Sequence, residues 1–103
     1  MSEFGLPQRT LDEMRAIFAQ HRQVKKVLIY GSRAMGNYRE GSDIDLTLYG
    51  DALTHGDLVN IADELDESSI PYLVDLSIFN ELNHTELRKH IERVGQVFYQ
   101  AIL

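Results

Sequence analysis

The chain has 103 residues, 44% of them apolar and 25% charged, with a net charge of −6 and no cysteine. This composition excludes disorder, disulfides and thiolate metal sites, and no apolar run approaches the length of a membrane span. Ten Lys and Arg face sixteen Asp and Glu, and the only compact basic patch is Arg22 to Lys26, so long nucleic acid bound directly by this chain is not expected.

The length suits a single domain over residues 1–103, near the lower end of sizes that bury a useful core. The N-terminus lacks a signal-peptide apolar region, which points to a soluble, cytoplasmic chain. Residues Met1 to Pro7 read as a frayed leader. From Thr10, Leu11, Met14, Ile17 and Phe18 recur at helical spacing, predicting a helix over about 9–21 with His21 as a surface residue at its C-terminus. Val27 to Tyr30 is a short run of β formers, ended by Gly31-Ser32, and Ser32 to Met35 has room for one helical turn. A polar loop with Gly36 and Gly41 leads into a second strand over Ile44 to Tyr49.

Thr54 with Asp57 has the form of a capping box, opening a helix over about 55–68 whose buried stripe is Leu58, Ile61, Ala62 and Leu65. Its acidic residues Asp63, Glu64, Asp66 and Glu67 form a solvated face. After Pro71, Tyr72 to Phe79 is a third strand, with Val74, Leu76 and Ile78 on one face and Leu73, Asp75 and Ser77 on the other. Asn83 with Glu86 suggests a second capping box before a helix over about 84–94, and Gly95 its C-cap. The apolar end Val97 to Leu103 is either a last edge strand or a partner surface.

The first two strands have too few residues between them for a crossover helix, so an antiparallel pairing is expected; the third follows a helix and can pair in parallel. The result is an α+β fold, a small mixed sheet with helices packed on one face and the other face free at its carboxylates. Neither GxGxxG nor GxxxxGK[ST] occurs, which removes the common dinucleotide and P-loop readings.

Alternation along a strand puts Asp43 and Asp45 on one face, opposite Ile44, Leu46 and Leu48. Two adjacent carboxylates repel unless a cation lies between them, so the pair is a candidate divalent-metal site beside a Gly-rich turn. Asp75 interrupts an apolar strand where burial or near-burial is expected, and there a carboxylate is costly unless paired or metal-bound. Three carboxylates suit two hard cations such as Mg²⁺. A small nucleotide carried with Mg²⁺, or another protein, also fits the acidic charge.

The segment GSRAMGNYREGSDIDL, together with Asp75 in YLVDLSIF, resembles the DNA polymerase β-like nucleotidyltransferase superfamily. The resemblance runs from about Val24 to Tyr99, over a Gly-Ser turn, an Asp-x-Asp and a third carboxylate on a later strand. It implies that Gly31 and Ser32 contact the triphosphate, that Asp43 and Asp45 bind two Mg²⁺ ions, and that Asp75 binds the catalytic ion and activates the acceptor. Arg33 takes the basic position after Gly-Ser in the small members and would steady phosphate or partner. The small members often have Arg where this chain has Met35, and Arg39 is the loop cation available in its place.

The size resembles that of the minimal nucleotidyltransferases encoded beside HEPN-domain proteins. In that type the HEPN protein is a toxin, and the nucleotidyltransferase is an antitoxin that moves AMP from ATP to a tyrosine hydroxyl on it. The resemblance therefore implies ATP as donor, a HEPN-domain protein as partner and a homo- or hetero-oligomer. Two alternatives stay open: neutralisation chiefly by complex formation, and nucleotidyl transfer to a small molecule or RNA end with another subunit.

Overall fold

In the computed structural model, which describes residues 3–102, the main core forms between one sheet face and two amphipathic helices. Helix α1 (Gln8–Ala19) buries Leu11, Met14 and Phe18 from successive turns, and α3 (His55–Glu67) buries Ile61 and Leu65. They pack on Val27 and Ile29 of β1 (Lys26–Tyr30), Ile44, Leu46 and Leu48 of β2 (Ile44–Tyr49), and Ile78 of β3 (Val74–Ile78). Helix α3 starts as the sequence predicts: Thr54 Oγ1 accepts from Asp57 N at 3.2 Å, and Asp57 Oδ2 accepts from Thr54 N at 2.9 Å.

The sheet order is β3-β2-β1-β4, with β4 spanning Gln96–Gln100. As the short connection requires, β1 and β2 are antiparallel; β2 and β3, joined through α3, are parallel. The apolar C-terminal run resolves as the edge strand β4, antiparallel to β1. A register shift between Val27 and Leu28 lets Phe98 turn into the core, edge-on to Phe18 with centroids 6.2 Å apart. Arg15 Nε donates to Phe98 O at 2.7 Å, tying this edge to α1.

Between β1 and β2 lies α2 (Gly31–Met35), the single helical turn expected there. Helix α4 (Thr85–Val94) covers part of the second sheet face, where its stripe Leu87, Ile91 and Val94 clusters with Leu28 and Tyr30 of β1, Tyr49 of β2 and Phe79 after β3. The end of that face carrying Asp45 and Asp75 is less covered: Asp75 is exposed and Asp45 half-buried, while Thr47 behind them is buried. Among the described residues, no helix is long and apolar enough to cross a membrane.

Three local expectations are corrected. Residues 3–7 are not a frayed leader: Glu3–Gly5 form a short 3-10 turn, Leu6 is fully buried, and Phe4 packs 6.0 Å from Phe98. Met1 and Ser2, like Leu103 at the other end, lie outside the described residues. The cap of α4 is His84 rather than Asn83; its Nδ1 accepts from Leu87 N at 3.1 Å, which puts Glu86 one position too early for a capping box. His21 is more than a surface terminus, since its Nε2 meets Glu64 Oε2 at 2.8 Å and links the turn after α1 to α3.

The burial of Leu6 carries a prediction. Leu6→Ala is expected to lower stability by about 2–5 kcal/mol in urea denaturation, the range for a large core side chain. A loss under about 0.5 kcal/mol, the size of an ordinary surface change, would show that residues 3–7 are not part of the core.

Candidate active site

The pairing register brings the acidic residues together. Asp45 lies opposite Tyr30 on its β1 side and opposite Asp75 on its β3 side, so Tyr30, Asp45 and Asp75 form one row across three strands. Thr47 and Ser77 make the row behind, where Ser77 Oγ donates to Thr47 Oγ1 at 2.9 Å. Asp43 sits just before β2. The next residue's N–H, Ile44 N, donates to Leu73 O at 2.9 Å and begins the contact with the β3 segment.

Asp45 is half-buried, and Asp43 and Asp75 are exposed. The expected burial of Asp75 is therefore corrected. Strand β3 is the sheet edge, and α4 does not extend over this part of the face. Burial, then the Asp75 and Asp43 carboxylates, hold the Asp45 carboxyl above the usual aspartate range. Burial and Asp75 also push the Tyr30 hydroxyl up, so Tyr30 stays protonated at neutral pH.

Gly31 follows Tyr30 directly and has φ +71°, the left-handed region that glycine favours. A Cβ at this position would run into Asp45 Oδ2, so the turn lies directly against that carboxylate. Ser32 stands half-exposed at the start of α2. The first backbone N–H groups of such a turn have no intrahelical acceptor and are free to meet an anion.

Arg33 does not join this group. It is 3% exposed, and its guanidinium is turned away into hydrogen bonds with backbone carbonyls of Ser42, Phe4 and Gly5. Its donors, expected to steady phosphate or partner, are engaged inside the fold. Met35 and Arg39 are both exposed.

Among the described residues, no three His, Asp or Glu side chains converge closely enough to enclose a cation as they stand. The donor chemistry still fits a hard divalent ion. Three carboxylates share one end of a sheet face, two are exposed and free to rotate, and the third carries a repulsion that a cation relieves.

Two neighbours of the acidic row go unnoticed in the sequence. Tyr30 could have been found from the hairpin register, which puts the residue before the Gly-Ser turn opposite Asp45. His90 on α4 lies edge-on to Tyr30 at 6.1 Å and draws the Asp45 carboxyl downward, the smallest influence on it. Only the docking of α4 brings His90 there.

A family model described as polymerase beta, nucleotidyltransferase matches residues 12–101. A curated protein of Methanocaldococcus jannaschii, named "Putative protein adenylyltransferase MJ0604", is 27% identical over 90 residues, covering 75% of this chain and 80% of its own. Among solved structures, a toxin–antitoxin crystal structure with AMP-PNP matches with a TM-score of 0.69 and 20% identity, over 93% of this chain and 75% of that one. A tri-AMPylated Shewanella oneidensis HEPN toxin in complex with MNT antitoxin matches with a TM-score of 0.67 and 18% identity, over 91% and 72%. At these identities the two structures speak for a shared fold.

Proposed function

The chain belongs to the polymerase beta nucleotidyltransferase family, and from that premise we propose that it transfers AMP from ATP to a tyrosine hydroxyl of a partner HEPN-type toxin, thereby acting as its antitoxin. The observation that carries the reading is the Asp45–Asp75 pair in direct register, with Gly31 pressed against Asp45. A binding protein has no need of like charges set side by side; a triphosphate with its cations does.

In this reading the backbone N–H groups at Gly31 and Ser32, with the Ser32 hydroxyl, hold the β- and γ-phosphates. Asp43, Asp45 and Asp75 would hold two Mg²⁺ ions, which neutralise the triphosphate and polarise the α-phosphate when bound. Asp75, exposed at the sheet edge, takes the proton of the acceptor hydroxyl. The acceptor oxygen forms a bond to the α-phosphorus, the bond to the bridging oxygen breaks, and pyrophosphate leaves with that electron pair. Asp45, the least accessible of the three, orients rather than exchanges protons.

The open face favours a macromolecular acceptor, since it offers a platform rather than an enclosing pocket. The net charge of −6 favours a protein over a nucleic acid. The similarity to a named adenylyltransferase and to antitoxins crystallised with HEPN toxin points the same way.

ATP labelled at the α-phosphate, Mg²⁺ and the HEPN protein encoded nearby are expected to give label on the partner, and none with Asp43→Asn/Asp45→Asn. A stable complex that neutralises the partner without label would favour binding alone. Label on RNA or a metabolite, and none on protein, would overturn the acceptor assignment.

A further inference from the structure

Arg33 is a buried cation with no carboxylate partner among the described residues, an arrangement costly enough to need a reason. Its Nε and Nη2 both donate to the Ser42 carbonyl, at 3.0 and 2.8 Å. Nη1 donates to Phe4 O at 2.9 Å and reaches Gly5 O at 3.4 Å. The guanidinium lies 5.3 Å from the Tyr38 ring and 5.0 Å from the Tyr72 ring. Four segments therefore meet on one side chain: the N-terminal turn, the start of α2, the loop before β2, and the approach to β3.

The Ser42 carbonyl belongs to the peptide unit that leads into Asp43. Asp45 is held by ladder pairing on both sides, but Asp43 precedes β2 and has no register of its own. The turn of residues 39–42 fixes Ser42 itself: Arg39 N donates to Ser42 Oγ at 2.8 Å and Ser42 N to Arg39 O at 3.0 Å. Since Arg33 directly follows Ser32, its side chain is a strut of fixed length between the Gly31-Ser32 turn and Asp43.

We infer that Arg33 is a positioning residue, whose forked hydrogen bonds to the Ser42 carbonyl fix Asp43 relative to the Gly31-Ser32 turn. The inference rests on the reading of Asp43 as a ligand of the divalent ion. A lysine keeps the charge but gathers its three donors on one nitrogen, without the planar fork whose separate nitrogens reach the Ser42 and Phe4 carbonyls, so the strut loses its direction.

The test follows Mg²⁺-dependent binding of a fluorescent ATP analogue, with thermal melting alongside. Arg33→Lys is expected to raise the half-saturating Mg²⁺ concentration by about tenfold, the lower end for outer residues that orient metal ligands. Its KM for the partner stays unchanged while kcat falls. Leu6→Ala, destabilised through the core with Arg33 intact, should keep the wild-type Mg²⁺ requirement. If Arg33→Lys does not fold, Ser42→Ala loosens only the 39–42 turn and should raise the requirement by about threefold, a smaller share of the same effect.

An unchanged requirement in Arg33→Lys, or in Ser42→Ala where that variant stands in, would overturn the inference. So would a rise in Leu6→Ala that tracks its loss of melting temperature. If the wild type itself binds the analogue without needing Mg²⁺, the functional reading fails first and the inference falls with it.

Discussion

Asp45→Asn is expected to abolish nucleotidyl transfer, by about 10³-fold or more, and at the same time to raise the melting temperature of the protein in metal-free buffer. The two effects have one cause. Burial and the carboxylates of Asp75 and Asp43 hold the Asp45 carboxyl above its ordinary range. The folded chain therefore keeps that proton more firmly than the unfolded chain does. This stabilisation is complete below the unfolded pKa and is lost as pH rises through the raised folded value. At neutral pH the ionised Asp45 is a net cost, and asparagine removes it at nearly constant shape.

Because the group is partly exposed, solvent screening keeps the gain small. Adding Mg²⁺ should raise the melting temperature of the wild type and leave Asp45→Asn where it was. Differential scanning calorimetry with and without Mg²⁺ measures both. A variant that melts lower than wild type in chelator would show that the carboxylates are not in repulsion.

Gly31→Ala should be nearly as damaging to activity, for a steric rather than an electrostatic reason. The added methyl would meet Asp45 Oδ2, and the φ of +71° strains any L side chain. Either Asp45 turns out of the acidic row or the Gly-Ser turn retreats from it. Misplacement on that scale costs about 10²-fold in transfer.

Gly36→Ala is the matched control. Gly36 has φ +85°, but a Cβ there has nothing within 4 Å. It should lose about 1–2 kcal/mol of stability through backbone strain alone and keep its activity. Equal losses of transfer in the two variants, measured with α-labelled ATP, would separate Gly31 from the acidic row and remove the close approach from the account.

Several features that set up these results are readable along the chain. The strand alternation that puts Ile44, Leu46 and Leu48 inward necessarily puts Asp45 outward, and the same holds for Asp75 between Val74 and Leu76. Thr54 and Asp57 cap α3 through purely local bonds, which is why that boundary is found within a residue. His84 displaces Asn83 as the α4 cap because an imidazole nitrogen can accept as well as an amide oxygen, and residue type alone does not decide between neighbours.

Arg33 shows where such reading stops. The family resemblance assigns the basic residue after Gly-Ser to phosphate or partner. The pattern contains nothing about Phe4 or Ser42, whose carbonyls claim the guanidinium once the N-terminal turn folds over α2. The exposure of Asp75 is decided in the same way. Apolar neighbours predict burial, but coverage depends on where α4 lies over the sheet, and α4 leaves Asp75 exposed.

What the sequence by itself determined is the order of elements, the inward and outward sides of each strand, and the Gly-Ser, Asp-x-Asp and Asp set, because these depend on short-range periodicity and turn chemistry. Only the tertiary structure decided that Asp45 faces Asp75 in register, that Gly31 lies against that carboxylate, and that Arg33 serves the fold. Those are contacts between segments far apart in the chain, and they exist only after the sheet and its covering helices have closed.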